Sequence, residues 1–140
     1  MKPSRDIVIR GRTLGGREAP LVCVPLIGAT REALLAELAV LLPKRPDLVE
    51  WRVDHYAGID DSGEVLETLH RLASAAGSIP LVFTARLPAE GGHRASLTGA
   101  QAADLCCRAC GTGTIGLVDF ESSAAGAEVD AVRAAARASE

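Results

Sequence analysis

The sequence predicts one α/β domain in which parallel strands alternate with crossover helices. Short apolar or β-branched runs alternate with longer stretches of helical, 3.6-residue periodicity, four times over. The 140 residues amount to one domain's worth of chain, enough to bury roughly 70% of the surface that the unfolded form exposes. A composition of 48% hydrophobic and 24% charged residues belongs to a folded globular chain. Strands separated by helices pair in parallel through right-handed crossovers, so the fold is either an open, doubly wound sheet or part of a βα barrel. We divide the single domain 1–140 into a hairpin segment, 1–18, and four βα units, 19–140.

Ile7 to Leu14 reads as a small hairpin with Gly11 at or near its turn, a piece able to plug one end of a barrel. Leu21–Leu26 is the first buried strand. Thr30 caps a helix that runs through Leu42, and Pro43 and Pro46 stop it. Leu48–Val53 is the second strand. Asp61 or Ser62 caps the next helix, whose positions Val65, Leu66, Leu69, Leu72 and Ala73 make an apolar stripe, and Gly77 ends it in the left-handed conformation. Ile79–Thr84 is the third strand, followed by a helix capped by Thr98 and ended by Gly111. Gly116–Phe120 is the fourth, and the alanine-rich stretch Glu128–Ala138 has the strongest helix propensity in the chain.

Fifteen basic and 18 acidic side chains give a formal charge of −3. That leaves no large positive field for a nucleic-acid backbone or a membrane surface. The amino terminus lacks the apolar stretch of a secretory signal, and the longest uncharged apolar run, Leu21–Ala29, is too short to span a bilayer. These features predict a cytoplasmic protein, in which Cys23, Cys106, Cys107 and Cys110 are free thiols. The Cys107-x-x-Cys110 pair invites a redox or zinc reading. It lies near the end of its helix, however, and no second ligand pair completes a tetrahedral site, so Cys106 and Cys110 are expected to be small buried hydrophobes. Gly111-x-Gly113-x-x-Gly116 has the glycine spacing of a dinucleotide fingerprint, but it follows a helix and precedes a strand, the reverse of the required context.

Side chains alternate across a strand, so Glu50, Arg52 and Asp54 share the face opposite Val49, Trp51 and Val53. The third strand continues the pattern with Val82, Thr84 and Arg86, and the fourth with Asp119 and Glu121. Charges thus collect at the carboxyl ends of parallel strands, where both βα barrels and open α/β sheets bind their ligands. The alternative is a purely structural network in the lumen linking Glu50 to Arg52 and Arg86. The loop Leu87–His93 reads as a long, flexible rim over the site. In it Glu90 either orients a neighbouring base or is an exposed carboxylate, and His93 is an exposed loop histidine. His55 and His70 have weaker claims.

Glu50-Trp-Arg-Val-Asp-His55, with Val24-Pro-Leu-Ile-Gly28 before it and Phe83-Thr-Ala-Arg86 followed by Glu90-Gly-Gly92, resembles the type I 3-dehydroquinate dehydratases of the shikimate pathway of aromatic amino-acid biosynthesis. The resemblance runs from about Ile7 through the Asp119-Phe-Glu121 strand. It implies a TIM-type βα barrel and a lyase that dehydrates 3-dehydroquinate to 3-dehydroshikimate. The reaction passes through an imine between a lysine and the substrate ketone, with a histidine as general acid and base. It also implies that Glu50, Arg52 and Arg86 bind substrate and that Glu90 supports catalysis by orienting the histidine. No metal or organic cofactor is implied, because the lysine itself supplies the electron sink.

Two departures bear on function. Where relatives can carry a substrate-contacting serine on the first strand, this chain has Pro25. The resemblance places the imine lysine, the catalytic histidine and a further substrate arginine on later strands than these 140 residues contain. The lysines present are Lys2 and Lys44, and Lys44 lies in a helix-to-strand connection, the wrong end of a barrel for the site. The expectation is therefore the amino-terminal half of a barrel, inactive by itself. Its edges would be closed by a second copy in a homodimer, or by a carboxyl-terminal half that also supplies the lysine and histidine. Rival readings are a non-catalytic half-barrel that binds a shikimate-like acid or a partner chain, and a thiol or zinc module built on Cys106, Cys107 and Cys110.

Overall fold

The computed structural model describes residues 7–9, 11–14 and 20–139. Lys2 and most of the 1–18 segment lie outside the described residues. Ile7–Ile9 (β1) and Arg12–Leu14 (β2) form the expected antiparallel hairpin, with Ile7 opposite Leu14 and Gly11 in the turn at φ +77°.

Four further strands, β3 (Cys23–Leu26), β4 (Leu48–Arg52), β5 (Leu81–Thr84) and β6 (Leu117–Asp119), lie side by side in chain order, all parallel. Each is followed by a helix: α1 (Arg31–Leu41), α2 (Ser62–Ala76), α3 (Gly99–Gly111) and α4 (Gly126–Ala138). Successive helices pack against one another, α1 on α2, α2 on α3 and α3 on α4. Right-handed crossovers that always step to the same side put every helix on one face of the sheet. That decides between the two architectures that periodicity left open. A doubly wound sheet reverses its strand order part-way, and this one does not, so it is a segment of a βα barrel.

The helix starts follow from local chemistry. Thr30 Oγ1 accepts the Ala33 N–H at 3.2 Å, and Asp61 Oδ1 accepts the Glu64 N–H at 3.1 Å. Thr98 and Gln101 form a reciprocal capping box, each side chain accepting the other's backbone N–H. Gly77 ends α2 with a positive φ of +62°, but its ψ of −115° takes it out of the left-handed helical conformation expected.

Several boundaries differ from the sequence expectation. α1 stops at Leu41, and Leu42–Lys44 tighten into a 3₁₀ turn around Pro43, which has no N–H to continue the ladder. α3 includes Gly111 and is capped by Thr112, leaving Gly113 to take the left-handed conformation at φ +67°. α4 starts at Gly126 instead of Glu128, because the Glu128 and Val129 N–H groups both reach back to the Ala125 carbonyl. β3 starts at Cys23 and β5 at Leu81, each later than expected. β3 is also largely exposed, since among the described residues it forms an edge of the sheet and has a strand on one side only.

The register aligns Leu26, Trp51, Phe83 and Val118 in one row across the sheet. The first three are completely buried beneath the helices with Leu34, Leu38, Val65, Leu69 and Leu72. Trp51 meets Tyr56 and Phe83 edge-on, at centroid distances of 5.5 and 5.6 Å, the arrangement that ring quadrupoles favour. At the amino ends of the strands, a Cβ on Gly116 would sit 2.9 Å from Ile9 Cγ2 and 3.0 Å from Pro80 Cβ. The hairpin therefore packs at the starts of β5 and β6, and the carboxyl ends are the open end of the sheet.

Candidate active site at the carboxyl ends of the strands

On the face opposite the core, Pro25, Glu50, Val82 and Leu117 stand in one register row, with Arg52, Thr84 and Asp119 in the next. Beyond the strand ends come Asp54, Arg86 and Glu121. The expected charges are thus brought together, but their pairing differs from the lumen network linking Glu50, Arg52 and Arg86. Arg52 binds Asp54 through two hydrogen bonds, Nε to Oδ1 and Nη2 to Oδ2, both 2.9 Å. Arg86 reaches across to the fourth strand, with Nη2 2.7 Å from Asp119 Oδ2 and Nη1 3.5 Å from Glu121 Oε1. The first of these contacts is a short charge-assisted bond, and the second is at the limit of one. Glu50 makes no direct ion pair among the described residues; its half-buried carboxylate acts on Arg52 through space.

Asp54 departs from its expected place. The strand gives way after Arg52 to a 3₁₀ turn, Val53–His55, which leaves Asp54 completely buried. Burial alone would raise its carboxyl pKa. The Arg52 hydrogen bonds, the His93 N–H at 2.8 Å and the charges of Arg52 and His55 outweigh that and hold it below the ordinary carboxylate value. Arg52, in return, is held more firmly protonated, chiefly by the hydrogen bonds to Asp54.

The loop after β5 is tied down, contrary to the flexible rim expected. Pro88–Glu90 form a 3₁₀ turn, and the Glu90 and Gly92 N–H groups both donate to the Leu87 carbonyl. A Cβ on Gly92 would collide with the Arg86 carbonyl oxygen, so only glycine fits this close approach. The Leu87 N–H donates to Glu121 Oε1 at 2.9 Å, and the Arg94 Nη2 donates to the Tyr56 carbonyl at 2.9 Å. Glu90 itself is exposed and accepts a hydrogen bond from Ser123 Oγ at 3.1 Å.

His93 is exposed as expected, but its ring stacks on that of His55, with centroids 4.5 Å apart and planes 12° from parallel. Burial lowers the His55 pKa, the nearby charges of His93 and Arg52 lower it further, and Asp54 opposes them only in part. Sequence reasoning missed this stack, along with the roles of Asp54 and Glu121 as acceptors for the loop. Asp54 had a signal in the alternation Glu-x-Arg-x-Asp. Glu121 had none that could link it to Leu87, 34 positions away.

The remaining candidates fall outside this site. Cys106 and Cys110 are buried on α3, and burial pushes both thiols up, away from the reactive thiolate. Among the described residues no cluster of three or more His, Cys, Asp or Glu side chains has the geometry to hold a metal ion. Lys44 lies in the turn before β4, at the amino end of the sheet. No helix among the described residues is long and apolar enough to cross a membrane.

Residues 22–140 match the sequence family described as type I 3-dehydroquinase. The chain belongs to that family. It is 40% identical over its whole length to a 3-dehydroquinate dehydratase of Albidiferax ferrireducens, covering 53% of that protein. It is 36% identical over 123 residues to one from Aromatoleum aromaticum, covering 47% of it. Among solved structures, the 3-dehydroquinate dehydratase of Geobacillus kaustophilus superposes with a TM-score of 0.89 at 36% identity, over 96% of this chain and 52% of that one. A type I enzyme from Clostridium difficile, solved with covalently modified comenic acid, gives 0.91 at 31% identity, over 97% and 53%. The chain spans about half the length of the relatives it matches, and the part it spans is the βα-barrel segment described above.

Proposed function

We propose that residues 1–140 carry the substrate-anchoring half of a 3-dehydroquinate dehydratase site. Support comes above all from one observation: in a chain matching the type I family over residues 22–140, Arg52 and Arg86 stand together at the carboxyl ends of parallel strands. In this reading Glu50, Arg52 and Arg86 bind the hydroxyls and charge of 3-dehydroquinate. Guanidinium N–H groups donate and carboxylates accept, a combination suited to a polyhydroxylated acid. Glu90 orients the histidine that moves protons. The lysine that forms the imine and the histidine itself come from polypeptide outside residues 1–140, since Lys44 is at the opposite end of the sheet and Lys2 precedes the hairpin. Dehydration follows because the imine withdraws electrons from the neighbouring carbon, whose proton then leaves with the help of the histidine before water departs.

A carboxyl-terminal half that pairs with β3 and β6, the edges of the sheet among the described residues, would complete this site. A second copy of the chain would close the edges without adding an imine lysine there. Purified residues 1–140 are expected not to turn over 3-dehydroquinate. Mixed with the carboxyl-terminal half of a relative they should do so, and Arg86→Ala should abolish that activity. Borohydride should then trap substrate on the added half. Turnover by residues 1–140 alone would overturn the assignment of the lysine. Stable association of the halves without turnover would favour the rival, a non-catalytic half-barrel that binds a shikimate-like acid.

A further inference from the structure

Of the three carboxylates that accept from the site arginines, Asp54, Asp119 and Glu121, the first and the last have a second task in common. Asp54, completely buried, takes both the Arg52 fork and the His93 N–H. Glu121, 6% exposed, takes the Leu87 N–H at 2.9 Å and a long contact from Arg86. Leu87 and His93 are the two ends of the segment that carries Glu90. Between them the segment has little freedom, because the Glu90, Gly91 and Gly92 N–H groups are all bonded within it and Gly92 lies against the Arg86 carbonyl. A rigid piece gripped at both ends by groups that also grip the arginines should move with them.

We propose that Asp54 and Glu121 are positioning residues that lock Arg52, Arg86 and the Glu90 segment into one unit. The proposal rests on the dehydratase reading for the roles of those three residues. The two grips differ in kind. Asp54 acts within its own turn, two positions from Arg52. Glu121 reaches back from beyond β6, 34 positions from Leu87. The unit therefore spans β4, β5 and β6, and a change at either carboxylate is transmitted to the far end of the segment.

The test uses isotope-labelled residues 1–140 with Asp54→Asn, Glu121→Gln and the double variant. An amide in place of a carboxylate keeps the shape and removes the charge. It also turns an N–H donor toward groups that are themselves donors. Asp54→Asn should shift the Leu87 and Glu90 amide resonances as well as that of His93, and Glu121→Gln should shift His93 as well as Leu87. Asp104→Asn, an exposed carboxylate on α3 that pairs with Arg108, should shift none of the three.

Calorimetric affinity for 3-dehydroquinate should fall about tenfold in each single variant, the scale of a lost charge-assisted hydrogen bond. The double variant should lose well short of the product of the two. Perturbations confined to each variant's own end of the segment, or losses that multiply, would overturn the proposal. If the variants do not fold, hydrogen exchange on the unaltered chain decides it: the Leu87 and His93 amides should open with the same free energy, and markedly different values would refute the coupling. An unaltered chain that takes up no 3-dehydroquinate would count against the dehydratase reading, and the amide shifts would still decide the coupling.

Discussion

Arg52 and Arg86 occupy the same end of neighbouring strands and are exposed to nearly the same degree, 21% and 24% of the side chain. They are held in different ways. The partner of Arg52 is two residues further along the chain, fully buried, and bonded through both oxygens. The partners of Arg86 come from the end of another strand and just beyond it, 33 and 35 positions away, and the closer one, Asp119, is 41% exposed. A buried acceptor in bidentate geometry fixes a guanidinium strongly, and removing it leaves donors without a partner. A water-exposed acceptor is easily replaced by solvent. Two arginines that look equivalent from their place in the sheet should therefore respond very differently to loss of their carboxylates.

The largest effect is expected at Asp54. Asp54→Ala should lower the free energy of unfolding in urea by about 3 kcal/mol, near the bottom of the range for breaking a buried pair, since Arg52 can still turn to water. A loss below about 1 kcal/mol would remove the distinction between the two arginines.

The next test is pH. The folded-state pKa of Asp54 is held below its unfolded value, so its contribution is fully present above the ordinary carboxylate range and is lost as pH falls through the lowered value. His55 is also lowered, so on acidification the unfolded chain takes up its proton first, and stability falls from the ordinary imidazole range downward. The melting temperature should thus drop in two stages as pH falls from neutral. In Asp54→Asn the carboxylate stage should shrink to what remains from Glu67, whose carboxyl Arg71 also holds below its ordinary value. The His55 pKa should then fall further, as followed by its ring resonances, because Asp54 is the main group holding it up. The smallest effect belongs to Asp119→Ala, which should cost under about 1 kcal/mol. An equal cost at Asp119 and Asp54 would show that the contrast between a local and a long-range partner carries no energetic weight.

That contrast also explains how much could be read in advance. The strand–helix alternation, the caps at Thr30, Asp61 and Thr98, and the hairpin turn at Gly11 all depend on residues within four positions of one another, and all were legible. So was the collection of Glu50, Arg52 and Arg86 at one end of the strands, because two-residue alternation fixes a face without any knowledge of neighbours. The flexibility assigned to residues 87–93 failed because a glycine-rich, polar stretch reads as loose unless its backbone acceptors are known. Those acceptors, Asp54 and Glu121, lie 39 and 34 positions from the N–H groups they bind. The stack of His55 on His93 was hidden for the same reason.

The sequence by itself determined the order of strands and helices and their places to within a few residues, which strand face is apolar and which is charged, and the family to which the motifs point. Tertiary structure alone decided that the strands run in chain order with every helix on one side. It also decided that Asp54 turns inward after Arg52, and that Arg86 takes its partners from the end of β6 and just beyond it. The physical reason is range. Periodicity, capping and turn chemistry act over a few residues, whereas register and ion pairing between strands are set when packing of Trp51, Phe83 and their neighbours aligns segments some 30 residues apart.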